Sequence, residues 1–233
     1  MKWISIYFLF KQITIKVVAV FLTLSTSFLF GQDSSGTVTD IDGNIYKTVN
    51  IGKQWWMAEN LKVTHYQDGD MIPALLYCSY NNNDSNVVVY GLLYKWNAAH
   101  KNIAPEGWHL PTDEEWSELE MYLGMKQSKA MSKGGWRGKH EGSKLKIKGT
   151  DHWLSPNKGA TNESGFSALP GGCRNHAGRF EEMGERAYFW TSTDYADVIK
   201  QCACYRALDY NHSDICRYGI VKYTYCSVRC IKD

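Results

Sequence analysis

The side chains best able to do chemistry are seven cysteines (Cys78, Cys173, Cys202, Cys204, Cys216, Cys226 and Cys230) and seven histidines, at positions 65, 100, 109, 140, 152, 176 and 212. Five of the cysteines fall between Cys202 and Cys230, and an odd total leaves at least one thiol without an intramolecular partner. The spacing Cys202-x-Cys204 is tighter than a zinc pair uses, and no histidine follows at finger spacing. In an oxidising compartment the expected use of Cys202, Cys204, Cys216, Cys226 and Cys230 is therefore disulfide formation, with connectivity left open. The histidines are scattered, with no pair at i, i+4 and no His-Glu-x-x-His, and Gly-x-Ser-x-Gly is absent. No catalytic constellation, metal site or cofactor is expected. His109, between Trp108 and Leu110, reads as a core histidine satisfied by backbone.

Binding has more to work with. Beyond residue 31 the chain holds Trp 8, Tyr 14 and Phe 3, so its rings are mostly those with a polar edge, suited to half-exposed surfaces that stack on sugars or peptides. Trp55, Trp56, Trp108 and Trp190 read as core. Trp136 and Trp153, set in Gly- and Lys-rich stretches, are the candidate surface rings. Between Lys126 and Lys148 eight basic residues face only Glu141, and Lys144 and Lys146 there are candidate contacts for an anionic polysaccharide on what is otherwise a solvated, loop-rich face. Ser155-Pro156-Asn157 lacks the carboxylate of a calcium-dependent sugar triplet, so that mode of sugar binding is not expected.

These groups need elements to position them. Val38 to Val49 alternates around Asp40-Ile-Asp-Gly-Asn44, which predicts a hairpin turn rather than a calcium loop, since the downstream Glu is missing. A third strand is expected over Gln54 to Met57. Thr112 followed by Glu115 is a capping box, and Trp116, Leu119 and Leu123 recur at helical spacing, so a helix runs from Pro111 to Leu123 and ends at Gly124. A second short helix is expected over Leu92 to Ala99. Strands are expected at Tyr188 to Thr193, Cys204 to Tyr210 and Tyr223 to Cys230. Strands at both ends with helices in the middle give an α+β domain of short mixed and antiparallel strands, one clearly capped helix and long Gly-rich loops.

Residues 1–31 carry three lysines and no acid, and an apolar run from Val17 to Phe30 too short to span a bilayer, which reads as a secretory signal ahead of a single domain over 32–233. Contact with membrane is then transient, through that segment. Without it, 23 basic residues face 24 acidic ones, a net charge of +2 − 3 = −1, which argues against nucleic acid as a partner.

Several blocks read together resemble one family: Asp40-Ile-Asp-Gly-Asn-Ile-Tyr-Lys-Thr-Val49, Gln54-Trp-Trp-Met-Ala-Glu-Asn-Leu61, Gly91-Leu-Leu-Tyr-Lys-Trp-Asn-Ala-Ala99 and Pro105-Glu-Gly-Trp-His-Leu-Pro-Thr-Asp-Glu-Glu-Trp116. Gly159 to Gly172, Phe189-Trp-Thr-Ser-Thr193 and Ser227-Val-Arg-Cys-Ile-Lys-Asp233 complete the set. Over residues 36–233 the chain resembles the Fibrobacter succinogenes major paralogous domain, a family of exported and surface proteins of Bacteroidetes and Fibrobacteres with no settled activity. Its closing Arg-Cys pattern and Gly-Trp-His-x-Pro block are similar to C-type-lectin-like domains and formylglycine-generating enzymes. That similarity implies a single C-type-lectin-like domain whose terminal strands pair and whose loops form a binding face.

The resemblance also implies where this chain departs. The cysteine the family often has before Pro-x-Gly-Trp-His is Ala104 here, and Cys173 and Cys226 are additions, which implies a private disulfide set joining Cys226 or Cys230 to the 202–216 region, with Cys204 and Cys226 as neighbours. The function expected is a secreted or cell-surface, non-catalytic module for recognising an extracellular glycan or another surface protein. The alternatives are a copper and cysteine oxidase of the formylglycine-generating type, using Cys202 and Cys204, and a purely structural surface protein.

Overall fold

Asp40 makes the first turn in the way its spacing predicts: its carboxylate accepts the backbone N–H of Asp42 at 3.0 Å and of Asn44 at 2.9 Å, the Asn44 amide, and the Tyr46 hydroxyl. The flanking strands are β1 (Ser35–Thr39) and β2 (Ile45–Ile51), and β3 (Gln54–Met57) follows on β2. Along β2, Tyr46 and Thr48 are buried while Ile45 and Lys47 are exposed, the period-2 alternation of a one-sided sheet. The computed structural model describes residues 34–195 and 201–233. The leader over residues 1–31 lies outside the described residues.

The last strand, β14 (Ile231–Lys232), inserts between β3 and β6 (Trp108–His109), giving the order β1-β2-β3-β14-β6. First and last strands therefore share a sheet. The second sheet is assembled from β4 (Tyr77–Cys78), β5 (Leu93–Lys95), β7 (Trp136–Arg137), β8 (Gly171–Arg174), β10 (Arg186–Asp194), β11 (Cys202–Asp209), β12 (Ile215–Val221) and β13 (Tyr225–Cys226), in the order β4-β5-β13-β8-β10-β11-β12-β7. Strand β9 (Phe180–Met183) pairs only with β8. The helices are α1 (Ser85–Tyr90), α2 (Trp96–His100), α3 (Asp113–Tyr122), α4 (Gln127–Ala130) and α5 (Glu141–Leu145). The architecture is α+β and dominated by sheet.

Helix α3 starts as its sequence dictates. Thr112 Oγ1 accepts the Glu115 N–H at 3.1 Å while Glu115 Oε2 accepts the Thr112 N–H at 2.7 Å, and Gly124 takes φ +112° just beyond the end. Trp116 on its buried face meets Trp56 at 5.0 Å and Phe166 at 5.6 Å, and Phe166 meets Phe189 edge-on at 5.7 Å. The segment expected to be helical over Leu92 to Ala99 divides instead: Leu93 and Tyr94 are buried in β5, and helix begins at Trp96. Pairing of β5 with both β4 and β13 overrides the local preference.

Polar groups tie α3 to the sheet beneath it. Asp113 and Glu120 are buried and accept from Arg137, Arg206 and Arg217, which come from β7, β11 and β12. Arg229 is buried elsewhere, donating to Asn60 Oδ1 and to the carbonyls of Phe166 and Ser167.

Candidate functional site

The disulfides expected among Cys202, Cys204, Cys216, Cys226 and Cys230 are not formed; all seven cysteines are free. Sheet order explains why. At Phe189 strand β10 bridges directly to Ser227 and its other edge pairs with β11, so β10 stands between Cys204 and Cys226, two strand spacings or about 10 Å, beyond the Cα separation a disulfide tolerates. Opposite Cys202, Cys204 and Cys216 stand Val221, Gly219 and Ala207, and opposite Cys226 stands Tyr94. Burial pushes the Cys204 thiol up to about 11 and Cys173 up to about 12, so both are protonated at neutral pH.

The proposed ligand-binding set also separates. Trp153 is 1 % exposed, its indole N–H donating to the Ala168 carbonyl at 3.0 Å. Lys146 is wholly buried over that ring, and its ammonium donates to the carbonyls of Lys158, Asp209 and His212 at 3.2, 2.8 and 2.8 Å. A lysine so enclosed cannot meet a ligand; it ties together the loop at Lys158, the end of β11 and the turn after it. Replacing Lys146 with alanine is expected to lower stability by about 2 kcal/mol or more, since three buried acceptors lose their donor, and urea unfolding measures it. The stretch from Lys126 to Lys148 is accordingly not a plain solvated face: it forms α4, β7 and α5 and buries Arg137 as well. Lys144 is half-buried and pairs with Glu163 at 2.9 Å. Trp136 is half-buried with one face stacked on His212 at 3.9 Å. Among the described residues no hydrogen bond, ion pair or cation–ring contact joins Trp136 to Lys144.

His109 is not a core histidine satisfied by backbone. Its ring is 38 % exposed and bridges two carboxylates, Nδ1 to Asp233 at 2.6 Å and Nε2 to Glu115 at 2.9 Å. Burial lowers its pKa, but hydrogen bonds to Asp233 and Glu115 outweigh that and raise it above 6.5. Stability from this bridge is therefore full below about pH 6.5 and is lost as pH rises through the raised pKa. His109→Gln is expected to flatten the dependence of Tm on pH above about 6.5, and NMR titration of the ring gives the pKa itself.

The groups that do converge lie at the other end of the second sheet. In strands β5, β13 and β8, Lys95, Tyr225 and Arg174 are directly opposite one another. Residues in register share a face of the sheet. The Lys95 ammonium accordingly sits 5.1 Å from the Tyr225 ring centroid, and the Arg174 guanidinium lies 5.2 Å from the same ring and 5.3 Å from Phe180. Tyr225 is fixed by donating its hydroxyl to the Leu75 carbonyl at 2.8 Å. Arg174 is fixed further by Nε, which donates to Gly178 O at 3.2 Å.

That carbonyl belongs to the β8–β9 turn, which Asn175 closes by accepting the amides of Ala177 and Arg179 through Oδ1 at 2.9 and 3.0 Å. Gly172 lets β9 approach: at φ +62° its missing Cβ would stand 2.4 Å from the Glu181 carbonyl. Between the turn and β13 opens a pocket of about 350 Å³, lined by Lys95, Arg174, Asn175, His176, Tyr223 and Tyr225, with Ala177 and Gly178 at the turn. No carboxylate lines it. Among the described residues neither Lys95 nor Arg174 takes part in an ion pair, while Tyr223 presents a ring that is 52 % exposed. Two cations on an aromatic floor with no counter-charge attract an oxyanion.

A second pocket, of about 250 Å³, runs beside His100, His109, Ala104, Ser192 and Cys230; its walls are more apolar, and of its two histidines His109 is already held by two carboxylates while His100 is stacked on Trp96. The cationic pocket escaped the sequence reading because its residues come from positions 95, 174–178 and 223–225. The one available signal was that Lys95 stands in Gly91-Leu-Leu-Tyr-Lys-Trp and Arg174 two residues after Gly172, inside or beside blocks that carry the resemblance.

The family model described as the Fibrobacter succinogenes major domain matches residues 49–232. No curated protein and no solved structure matches the chain.

Proposed function

The chain belongs to the Fibrobacter succinogenes major domain family, and from that premise we propose that it is a non-catalytic recognition module of the cell exterior, which binds its ligand in the pocket between β5, β13 and the β8–β9 turn. One observation carries the reading: the row Lys95-Tyr225-Arg174 holds two cations in fixed positions at an open pocket that contains no acid. The Tyr225 and Phe180 rings hold these cations, but no acid lining the pocket balances them, and two like charges at one cavity draw an anion to it. Export rests on the leader's pattern of lysines followed by an apolar run. A C-type-lectin-like arrangement is part of the proposal, supported by the first and last strands sharing one sheet.

The oxidase alternative is less well supported. Cys204 is buried, protonated at neutral pH and donating to the Asp194 carbonyl, so a copper ion would first have to displace that proton.

A glycan array probed with the wild-type protein and with the double variant Lys95→Gln/Arg174→Gln tests the proposal. Binding that the double variant loses, with the captured glycans recovered chemically unchanged by mass spectrometry, is the expected outcome. Binding retained by the variant removes the site, and any turnover of a captured glycan removes the non-catalytic reading.

A further inference from the structure

Taking that pocket as the binding site, we infer that its ligand is an acidic oligosaccharide, a chain whose sugar carries an oxyanion (uronate carboxylate or sulfate) that Arg174 and Lys95 receive while a neighbouring sugar ring lies on Tyr223. The charge requirement follows from the pocket's lining. A neutral sugar would leave the Lys95 ammonium and the Arg174 guanidinium, on the two sides of Tyr225, without a counter-charge, whereas an oxyanion supplies one.

Geometry narrows the anion. Adjacent strands lie about 4.8 Å apart, so Lys95 and Arg174, separated by β13, have backbones about 10 Å apart. Both side chains lean over the Tyr225 ring between them, each about 5 Å from its centroid. The two charges are thus concentrated around one ring at one end of the pocket. A diffuse polyanion would instead need cations spread along a surface.

Arg174 is held before any ligand arrives. Its guanidinium lies against Phe180 and Tyr225, with Nε donating to Gly178 O and a further hydrogen bond to the Cys78 thiol, and its remaining N–H groups are the donors for an oxyanion. A preordered fork loses little entropy on binding.

Sugar, rather than an acidic peptide, follows from the rest of the rim. Tyr223 stands exposed beside the cations with a flat apolar ring and a hydroxyl, and His176, on the turn that Asn175 fixes, offers a further polar group. A ring face flanked by hydrogen-bonding groups matches a pyranose, which has an apolar C–H face and a hydroxyl edge. A peptide adding a strand here would need a free edge, and β8 and β13 are already paired on both sides.

Isothermal titration of the full chain at low and high salt tests this with five probes: tri-galacturonate, its methyl ester, a sulfated disaccharide, a neutral galactose trimer and pentaglutamate. Tri-galacturonate or the sulfated sugar is expected to bind, and the stronger of the two identifies the oxyanion. Arg174→Gln and Lys95→Gln are each expected to weaken it about tenfold or more, and Tyr223→Ala similarly, with affinity falling as salt rises.

Tyr223 is exposed, so its variant reports even if Arg174→Gln or Lys95→Gln fails to fold, and Arg174→Lys is expected to recover part of the affinity. Binding of the methyl ester as tight as that of the acid, abolished by Tyr223→Ala, overturns the acidic ligand while leaving the pocket in place. Pentaglutamate binding as well as the acidic sugars overturns the sugar. Acidic-sugar binding that none of the variants alters overturns the pocket itself, and no binding by any probe overturns the inference.

Discussion

Replacing Glu120 with glutamine is expected to cost about 3–5 kcal/mol of folding free energy, the magnitude seen when one partner is taken from a buried ion pair. Glu120 is wholly buried and holds two guanidinium groups, Arg137 by both terminal nitrogens and Arg206 by Nε at 2.7 Å. Asp113, two turns earlier on the same helical face, holds Arg206 and Arg217. Two carboxylates thus face three guanidinium groups; glutamine leaves one carboxylate for three. The shape hardly changes, so cavity formation is not the cause, and the loss reads directly as uncompensated charge.

Acid should erode the same cluster. Burial raises the Asp113 pKa, but Arg206 and Arg217 together hold it below 3.8. Its contribution is therefore complete above about pH 4 and is lost as pH falls through the lowered value. Urea midpoints measured for wild type and Glu120→Gln at neutral pH and near pH 3 check both expectations. A Glu120→Gln midpoint equal to wild type would show that α3 is held by its apolar face alone.

Arg229→Ala is the second change expected to be severe, about 3–5 kcal/mol, as for loss of a buried hydrogen-bond network. The guanidinium is 1 % exposed, donates to Asn60 Oδ1 at 2.8 Å and Ser167 O at 2.9 Å and also to Phe166 O, and lies 4.4 Å from the Phe166 ring centroid. Burial without a hydrogen-bonded carboxylate lowers its pKa to about 9, with only the Glu59 charge opposing. Two effects compete on truncation. Relief of a desolvated charge favours the variant, whereas three orphaned acceptors at about 1–3 kcal/mol each and a cavity against Phe166 oppose it. The second group is larger. Arg229→Met, which refills much of the volume, separates them: it should recover the cavity part and leave the acceptors unpaired. Equal stability of wild type and the methionine variant would mean that the carbonyls find water.

Local signals in the sequence were enough for local structure. The Asp40 turn, β3 and the capping box of α3 each depend on residues within a few positions of one another, and each forms where the spacing places it. Strand partners were a different matter. Nothing in one sequence says that β13 lies between β5 and β8, and the cysteine pairing expected for Cys204 and Cys226 fails because β10 lies between their segments. Burial of charge misled in the same way. Lys146 sits among lysines and glycines that read as surface, yet carbonyls from the loop at Lys158, the end of β11 and the turn after it enclose it. His109 is the converse, placed at the surface by its pairing with β14 and by carboxylates at positions 115 and 233. The candidate pocket combines both difficulties, since its cations meet only through sheet register and only their lack of acidic neighbours marks them out.

A crystal structure of the protein with tri-galacturonate bound is the most direct measurement of whether the row Lys95-Tyr225-Arg174 is a binding site. The expected result is a carboxylate within hydrogen-bond distance of both the Arg174 guanidinium and the Lys95 ammonium, with a sugar ring against Tyr223. A sugar seated instead beside Trp136, or in the cavity next to His109, would contradict it.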